Sequence, residues 1–298
     1  MKDQDPLVSI GIITYNQKEF LRECVDSCLR QDYQNLEIVV ADDGSTDGTH
    51  ELLKKYQDCH PGRFVLRLSN SNQGITKNCN QAHFACSGKY IAWMGGDDVM
   101  MPNKLSKQVS FMENHPDCAI SYHDLEVFDD ESKKKLYISS EKNRPMEGGV
   151  EVCIKHGVFN GGCTTMVRAS CAPRSGFNES FPVASDWCYW IDTLAGGGEI
   201  RYIPEILSRY RRHSSNITNK QPRIGQNLID HLNTCNYVIA KYPDYINEAI
   251  YRYSINIRTL RNSVPYSSAL LFSIKISFNF KSIALLLLYF LSGKRIRL

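Results

Sequence analysis

Four short apolar runs, most of them rich in β-branched residues, recur through the first hundred residues, and a helix-period stretch follows each. The runs are VSIGII (8–13), LEIVVA (36–41), RFVLRL (63–68) and KYIAWM (89–94). Each is too short for a helix and is bounded by polar turns, the pattern of strands buried in a sheet. Between the first two, Phe20, Leu21, Cys24, Val25, Cys28 and Leu29 stand at helical spacing over 17–31. ELLKKYQ reads as a second helix, capped by Asp47 or Thr49. Ile75, Cys79, Ala82 and Cys86 mark a third, and Pro102 opens a fourth with Leu105, Val109 and Met112 inward. Such alternation requires βαβ crossovers and therefore a largely parallel sheet flanked by helices. It also constrains where a ligand binds. In these sheets the site lies at the carboxyl ends of the strands, where the turns carrying Asp42–Asp43 and Asp97–Asp98 fall.

The chain has 298 residues, 42% hydrophobic and 22% charged, values that exclude a disordered, collagenous or polytopic membrane protein. The alternation stops near residue 220, dividing the chain into a sheet-bearing domain over 1–218 and a helical region over 219–298. A net charge of +3 is too small to indicate nucleic acid. The charge is uneven, however. Residues 241–298 carry nine Lys or Arg against two acids, Asp244 and Glu248. Eleven cysteines are scattered without a C-x-x-C pair, and several occupy apolar helix phases, where free cysteine acts as a small hydrophobe. This argues against a disulfide framework or zinc site and for a reducing cytosol. The start, MKDQDPLVSIGII, has no long apolar core and does not read as a signal peptide.

Residues 124–150 are charged and irregular and read as a hairpin or excursion. Residues 226–262 look helical. The tail over 264–298 combines aliphatic and aromatic residues with Lys275, Lys281, Lys294, Arg295 and Arg297 and contains no acid. Its uninterrupted apolar core, IALLLLYFL, is far shorter than the roughly 20 residues a bilayer span needs. One or two helices lying in the membrane interface are expected, basic residues toward anionic headgroups. The alternative is a helix packed on the first domain or across a homodimer.

Asp97 and Asp98 directly follow the fourth strand, in YIAWMGGDDVMMP. Adjacent carboxylates repel unless something positive neutralises them. A hard divalent cation does so, its remaining positions taking phosphate oxygens; a solvated turn is the other reading. Gly95 and Gly96 allow close backbone approach. The second strand closes in Asp42–Asp43–Gly44–Ser45–Thr46–Asp47, whose acids can accept a pyrimidine N–H or a ribose hydroxyl, or else build a turn and helix cap. Thr14, Tyr15 and Asn16 at the first strand end can support the same base, or Asn16 simply turns the chain.

These motifs together resemble glycosyltransferase family 2, inverting nucleotide-sugar transferases of the GT-A fold. The resemblance lies in VSIGIITYNQKEFLRECVDSCLRQDYQNLEIVVADDGSTDGT, in NQGITKNCNQAHFACSGKYIAWMGGDDVMMPNKL, and in GFNESFPVASDWCYWIDTL with IPEILSRYRRHSSN. It covers roughly residues 6–216. It implies an α/β, Rossmann-like, mixed and mostly parallel sheet flanked by helices, with a C-terminal helical extension. Asp43 matches the acid that contacts uracil, with Asp42 beside it. Thr14, Asn16, Lys77, Asp97 and Arg211 are implied in donor binding. Asp97 and Asp98, with His213 nearby, match the metal-binding element for Mn2+ or Mg2+. Asp186 matches the catalytic base; by itself it reads as a helix cap.

Three departures stand out. Ile13 replaces a common proline, Gly95 stands where the family commonly has another acid, and Ser185 replaces the glutamate that usually precedes the base. Trp187, Tyr189 and Trp190 can stack on a sugar, although consecutive helix positions put at least one into the core. The resemblance implies transfer of one sugar from a nucleotide sugar to a lipid-linked or oligosaccharide acceptor, on the inner face of the cell membrane. The competing readings are a nucleotidyltransferase, for which TYNQKEF is a poor phosphate loop, and a non-catalytic glycan-binding protein.

Overall fold

The computed structural model describes residues 5–157, 161–216, 221–258, 266–278 and 280–292. The expected alternation is present: β1 (Val8–Thr14), α1 (Lys18–Leu29), β2 (Leu36–Asp42), α2 (Thr49–Cys59), β3 (Phe64–Leu68), α3 (Ile75–His83) and β4 (Tyr90–Gly95). After the Asp pair come β5 (Val99–Met100), α4 (Lys104–Asn114), β6 (Cys118–Asp129), β7 (Lys135–Ile138), α5 (Ser139–Lys142), α6 (Val150–His156) and β8 (Met166–Arg168). The remainder is α7 (Ser185–Ala195), β9 (Glu199–Arg212), α8 (Gln221–Lys241), α9 (Ile246–Ile257), α10 (Tyr266–Ile276) and α11 (Phe280–Leu291).

One sheet runs β3-β2-β1-β4-β8-β6-β9-β5, with β7 added alongside β6. Its long ladders, β1 with β2 and β4, β2 with β3, and β6 with β9, are parallel; the pairings of β4 and β6 with β8, and of β5 with β9, are short and antiparallel. The alternation of side chains along a strand divides the core between two faces. Ile10 and Ile12 of β1 and Ile38 and Val40 of β2 pack with Leu21, Cys24 and Cys28 of α1 and with Leu105 and Val109 of α4. Val39 and Ala41 face the other way, into a cluster with Cys79, Trp93, Cys153, Trp187 and Ile191. Cys235 and Val238 of α8 and Ala249 of α9 join that second cluster, so these two helices complete the packing of the sheet. In contrast, α10 and α11 pack on each other through Tyr266, Leu270 and Tyr289.

Two outcomes differ from the sequence reading. The segment over 124–150, read as an irregular hairpin or excursion, does hold a hairpin of β6 with β7, but its start lies inside the twelve-residue strand β6. Its acids sit at turns and partners: Asp124 accepts from the Ser139 hydroxyl and the Leu125 N–H. Trp187, Tyr189 and Trp190 are all core residues, with Tyr189 stacked on Phe177 at 4.1 Å between ring centroids. None of the three is placed to stack on a sugar. All eleven cysteines are free. Among the described residues no helix is long and apolar enough to cross a membrane.

Candidate active site

The strands β1, β2 and β4 end at one edge, and their turns are laced together by side chains. Asn16 adopts φ 50, a conformation asparagine tolerates better than most residues. Its N–H donates to Ser45 Oγ at 2.7 Å, and its Oδ1 accepts the Thr46 N–H at 2.8 Å. Asp42 is fully buried: Oδ1 accepts the Ser45 N–H at 2.8 Å and lies 2.6 Å from His50 Nε2, while Oδ2 accepts the Ser45 hydroxyl. Expected beside the nucleoside, Asp42 instead braces the turn that presents its neighbour. Asp43 Oδ1 and Oδ2 accept the N–H groups of Gln73 and Gly74 at 2.7 and 3.0 Å. Each oxygen keeps a further acceptor direction. Gly44, at φ 79, is required there, since a Cβ would come within 2.5 Å of the Ser71 carbonyl carbon.

The helix α3 joins this turn to the expected base. Asn78 Nδ2 donates to the carbonyls of Thr14 and Ala41 at 3.3 and 3.0 Å. The Thr76 hydroxyl donates to the Phe181 carbonyl at 2.7 Å, and its oxygen lies 3.0 Å from Ser185 Oγ. Ser185 thus fills a buried position in which its hydroxyl meets Thr76. Lys77 is exposed on the first turn of α3. Asp186 follows at the start of α7, half-buried, its Oδ1 accepting the Trp187 N–H at 2.8 Å. The surrounding protein raises its pKa above the ordinary carboxylate value, opposed by hydrogen bonds from Trp187 and its own N–H. Burial and then the charges of Asp186 and Asp43 push the Cys79 thiol up.

A residue beyond the recognisable motifs supports this corner. Asp230 of α8 is fully buried, and its Oδ2 accepts the N–H groups of Val183 and Ala184 at 2.8 and 2.9 Å. It satisfies backbone donors at the entry to α7, two residues before Asp186. Nothing in the sequence around it signals this; the pairing spans 46 positions.

At the end of β4, antiparallel pairing of β5 with β9 carries Arg211 and His213 to the Asp pair. His213 Nε2 lies 3.0 Å from Asp97 Oδ2, which also accepts Gln17 Nε2 at 3.3 Å and Asn216 Nδ2 at 3.2 Å. Asp98 Oδ1 accepts the Arg211 N–H at 3.1 Å. Burial and then the charge of Asp97 hold the Asp98 carboxyl well above its ordinary pKa. The Arg211 guanidinium was expected at a diphosphate. It is instead enclosed: Nε donates to the Asp97 carbonyl at 2.7 Å, the terminal nitrogens pair with Glu23 and Asp130, and Phe20 and Phe128 flank it. Those pairings make it a brace behind the Asp pair.

The remaining carboxylate oxygens open on one spot. A Cβ on Gly95 would lie 2.7 Å from Asp97 Oδ1 and 3.2 Å from Asp98 Oδ2. Glycine leaves that volume clear, and two hard oxygens bordering it suit a divalent cation. Among the described residues no three His, Cys, Asp or Glu side chains are assembled as a metal centre. His213 Nε2 pairs with Asp97 Oδ2, whereas the oxygen that borders the cradle is Asp97 Oδ1.

Residues 9–171 match the family described as Glycosyl transferase family 2. An uncharacterised protein of Mycobacterium bovis is 31% identical over 213 residues, 70% of this chain and 60% of that one. The chain therefore spans less than two thirds of that relative. UDP-Glc:alpha-D-GlcNAc-diphosphoundecaprenol beta-1,3-glucosyltransferase WfaP of Escherichia coli is 30% identical over 71% of this chain and 80% of its own. The structure of S. aureus TarS 1-349 in complex with UDP-GlcNAc superposes with a TM-score of 0.69 at 16% identity, covering 97% and 88% of the two chains. Mannosyltransferase PcManGT from Pyrobaculum calidifontis, in complex with GDP-Man and Mn2+, gives 0.64 at 16% identity, over 98% and 81%. These likenesses show the expected GT-A architecture with its C-terminal helices. By the extent of the family match and by the WfaP identity, the chain belongs to glycosyltransferase family 2.

Proposed function

We propose that this protein is a metal-dependent inverting glycosyltransferase that moves one hexose or N-acetylhexosamine from a UDP-linked donor to a hydroxyl of a lipid-linked or glycan acceptor. The observation that carries the reading is the cradle over Gly95, bordered by Asp97 Oδ1 and Asp98 Oδ2 at the carboxyl edge of the sheet. Asp97, Asp98 and His213 would hold Mn2+ or Mg2+, with His213 turning from its present partner. When bound, the cation supplies charge neutralisation for the diphosphate leaving group. Asp43 presents its oxygens toward the nucleoside, steadied by the Gln73 and Gly74 N–H groups; Thr14, Asn16 and Lys77 stand around the same strand ends. Asp186 takes the proton of the acceptor hydroxyl as its oxygen bonds to the anomeric carbon and the bond to the diphosphate breaks. A raised pKa favours that role, because a more basic carboxylate accepts a proton more readily.

WfaP acts on a diphosphoundecaprenol-linked sugar, as its name states, which supports a place in O-antigen-like surface polysaccharide synthesis on the cytoplasmic face of the membrane. Residues 1–218 form the catalytic domain in this reading, and 219–298 the helical extension. The test is a panel of nucleotide sugars with Mn2+ or Mg2+, scored for free nucleotide with and without lipid-diphosphate acceptors. Metal-dependent UDP release stimulated by an acceptor is expected; full activity in excess chelator would remove the metal role. Formation of a nucleotide sugar from a sugar phosphate would favour the nucleotidyltransferase, and nucleotide-free glycan binding the non-catalytic protein.

A further inference from the structure

A cavity of about 590 Å³ opens between the β6–β7 hairpin, the loop after α5, the end of α6 and the end of β9. Three of its lining side chains carry positive charge, Lys142, Arg144 and Arg212; His156 also lines it, its pKa lowered by burial and then by the charges of Lys155 and Arg252. Among the described residues no Asp or Glu lines it. Tyr137 and Tyr210 form aromatic walls, with Lys142 Nζ 5.7 Å from the first ring and the Arg212 guanidinium 5.1 Å from the second. Its volume lies in the range of small-molecule sites. A concave surface lined by one sign of charge concentrates ions of the other sign. Lys142 and Arg144 are exposed and enter no ion pair among the described residues, so they can meet an incoming anion without breaking one.

The cavity touches the candidate active site at two places. Arg212 precedes His213, and a smaller cavity of about 380 Å³, lined on its other side by Asp129, Asp130 and Glu131, shares Arg212 and reaches His213. On the other side, His156 lies one helical turn beyond Cys153. The Cys153 carbonyl accepts the Trp187 indole N–H at 3.0 Å, and its thiol lies within the field of Asp186. The cavity is therefore built on β9, the strand that leads into His213, and on α6, the helix bonded to α7 behind Asp186.

We infer that this cavity is the acceptor site and that it recognises a phosphate or diphosphate group on the acceptor. The inference rests on the glycosyl-transfer reading and specifies the acceptor's chemistry. Arg144 and Arg212 offer planar forks for phosphate oxygens, and Lys142 a flexible point charge. A lipid-linked sugar diphosphate and a soluble phosphorylated glycan share this group.

The test is calorimetric titration of the full chain, without divalent cation, using inorganic pyrophosphate as probe. The parent, the double variant Lys142→Ala/Arg144→Ala, and Asp97→Ala are compared. Pyrophosphate is expected to bind the parent and Asp97→Ala alike and the double variant at least about tenfold more weakly, the scale of losing charge-assisted contacts. UDP binding by the double variant, measured separately with Mn2+ present, reports that the donor side remains folded. Equal pyrophosphate affinity in the parent and the double variant overturns the assignment, as does a loss confined to Asp97→Ala. Farnesyl diphosphate binding more tightly than pyrophosphate supports a lipid-linked acceptor, and equal binding supports a soluble one. Farnesol binding as tightly as farnesyl diphosphate overturns anion recognition. No turnover is needed, so an absence of sugar transfer would remove the functional reading while the titration still decides this site.

Discussion

At the scale of single residues, enclosure is what separates Asp186 from an ordinary helix-start carboxylate. Burial raises its pKa, so the proton-accepting form is lost at a higher pH than for an ordinary aspartate. Activity is therefore expected to fall as pH drops through that raised value, and Asp186→Asn should remove this limb of the kcat/KM profile. The same variant should lower kcat by a factor on the order of 10² or more while UDP binding persists. Stability has the opposite sign. A carboxylate with a raised folded pKa loses stability as pH rises from its unfolded toward its folded value, so asparagine should not lower Tm at neutral pH. Parent-like turnover would reduce Asp186 to a cap. Gly95 makes a second residue-level case. In Gly95→Ala the new methyl meets Asp97 Oδ1, and the carboxylate can move aside only by loosening the bonds that His213, Gln17 and Asn216 make to Oδ2. Tm should fall modestly, while Mn2+ and donor affinities, read by titration, should fall together; unchanged metal affinity would dissociate the cradle from the cation.

Among the elements, the pairing of β5 with β9 and the seating of α8 on α7 assemble the site from distant sequence. Asp230→Ala tests the second. It leaves the Val183 and Ala184 N–H groups without their buried acceptor, a loss of roughly 1–3 kcal/mol or more for bonds to a charged group. Chemical denaturation should register that loss, and kcat should fall because the entry to α7 shifts; a variant with parent stability and parent kcat would show that α8 does not position the base. The contrast with what could be read in advance is physical. β1 to β4 carry their signal locally, as apolar runs ended by turns, and the Asp pairs follow directly from those ends. β6 escaped because its acids, buried or half-buried and satisfied by hydrogen bonds and ion pairs, break the apolar pattern that marks a buried strand. Asp230, Gln17 and Asn216 escaped because their partners lie across the fold. Arg211 is implied in donor binding by the family resemblance, but its enclosure by Glu23, Asp130, Phe20 and Phe128 arises only from tertiary packing.

For the whole molecule the open question is what the last two helices face. α8 and α9 share the core of the sheet, whereas α10 and α11 bury little beyond each other and their contact with α9. Phe272, Phe278, Phe280, Leu287, Phe290 and Leu291 remain exposed, the last at 83%. An apolar surface of this kind either meets a partner or lies in a bilayer interface. Lys275 and Lys281 are described, while Lys294, Arg295 and Arg297 of the basic tail lie outside the described residues. The absence of acids from 264–298 favours anionic lipid, each basic residue near the surface adding about 1 kcal/mol and fading with salt. The predicted outcome is that the full chain sediments with anionic vesicles at low salt, less so at high salt, and weakly with neutral ones. Phe280→Glu/Leu291→Glu should abolish sedimentation without lowering Tm, since both side chains are exposed and contribute little to the packed core. If the double variant sediments like the parent, the face does not dock on lipid. If it instead changes the mass of the protein in solution from dimer to monomer, the helices are an interface between two copies, and a lipid-linked acceptor must be delivered to the site by some other means.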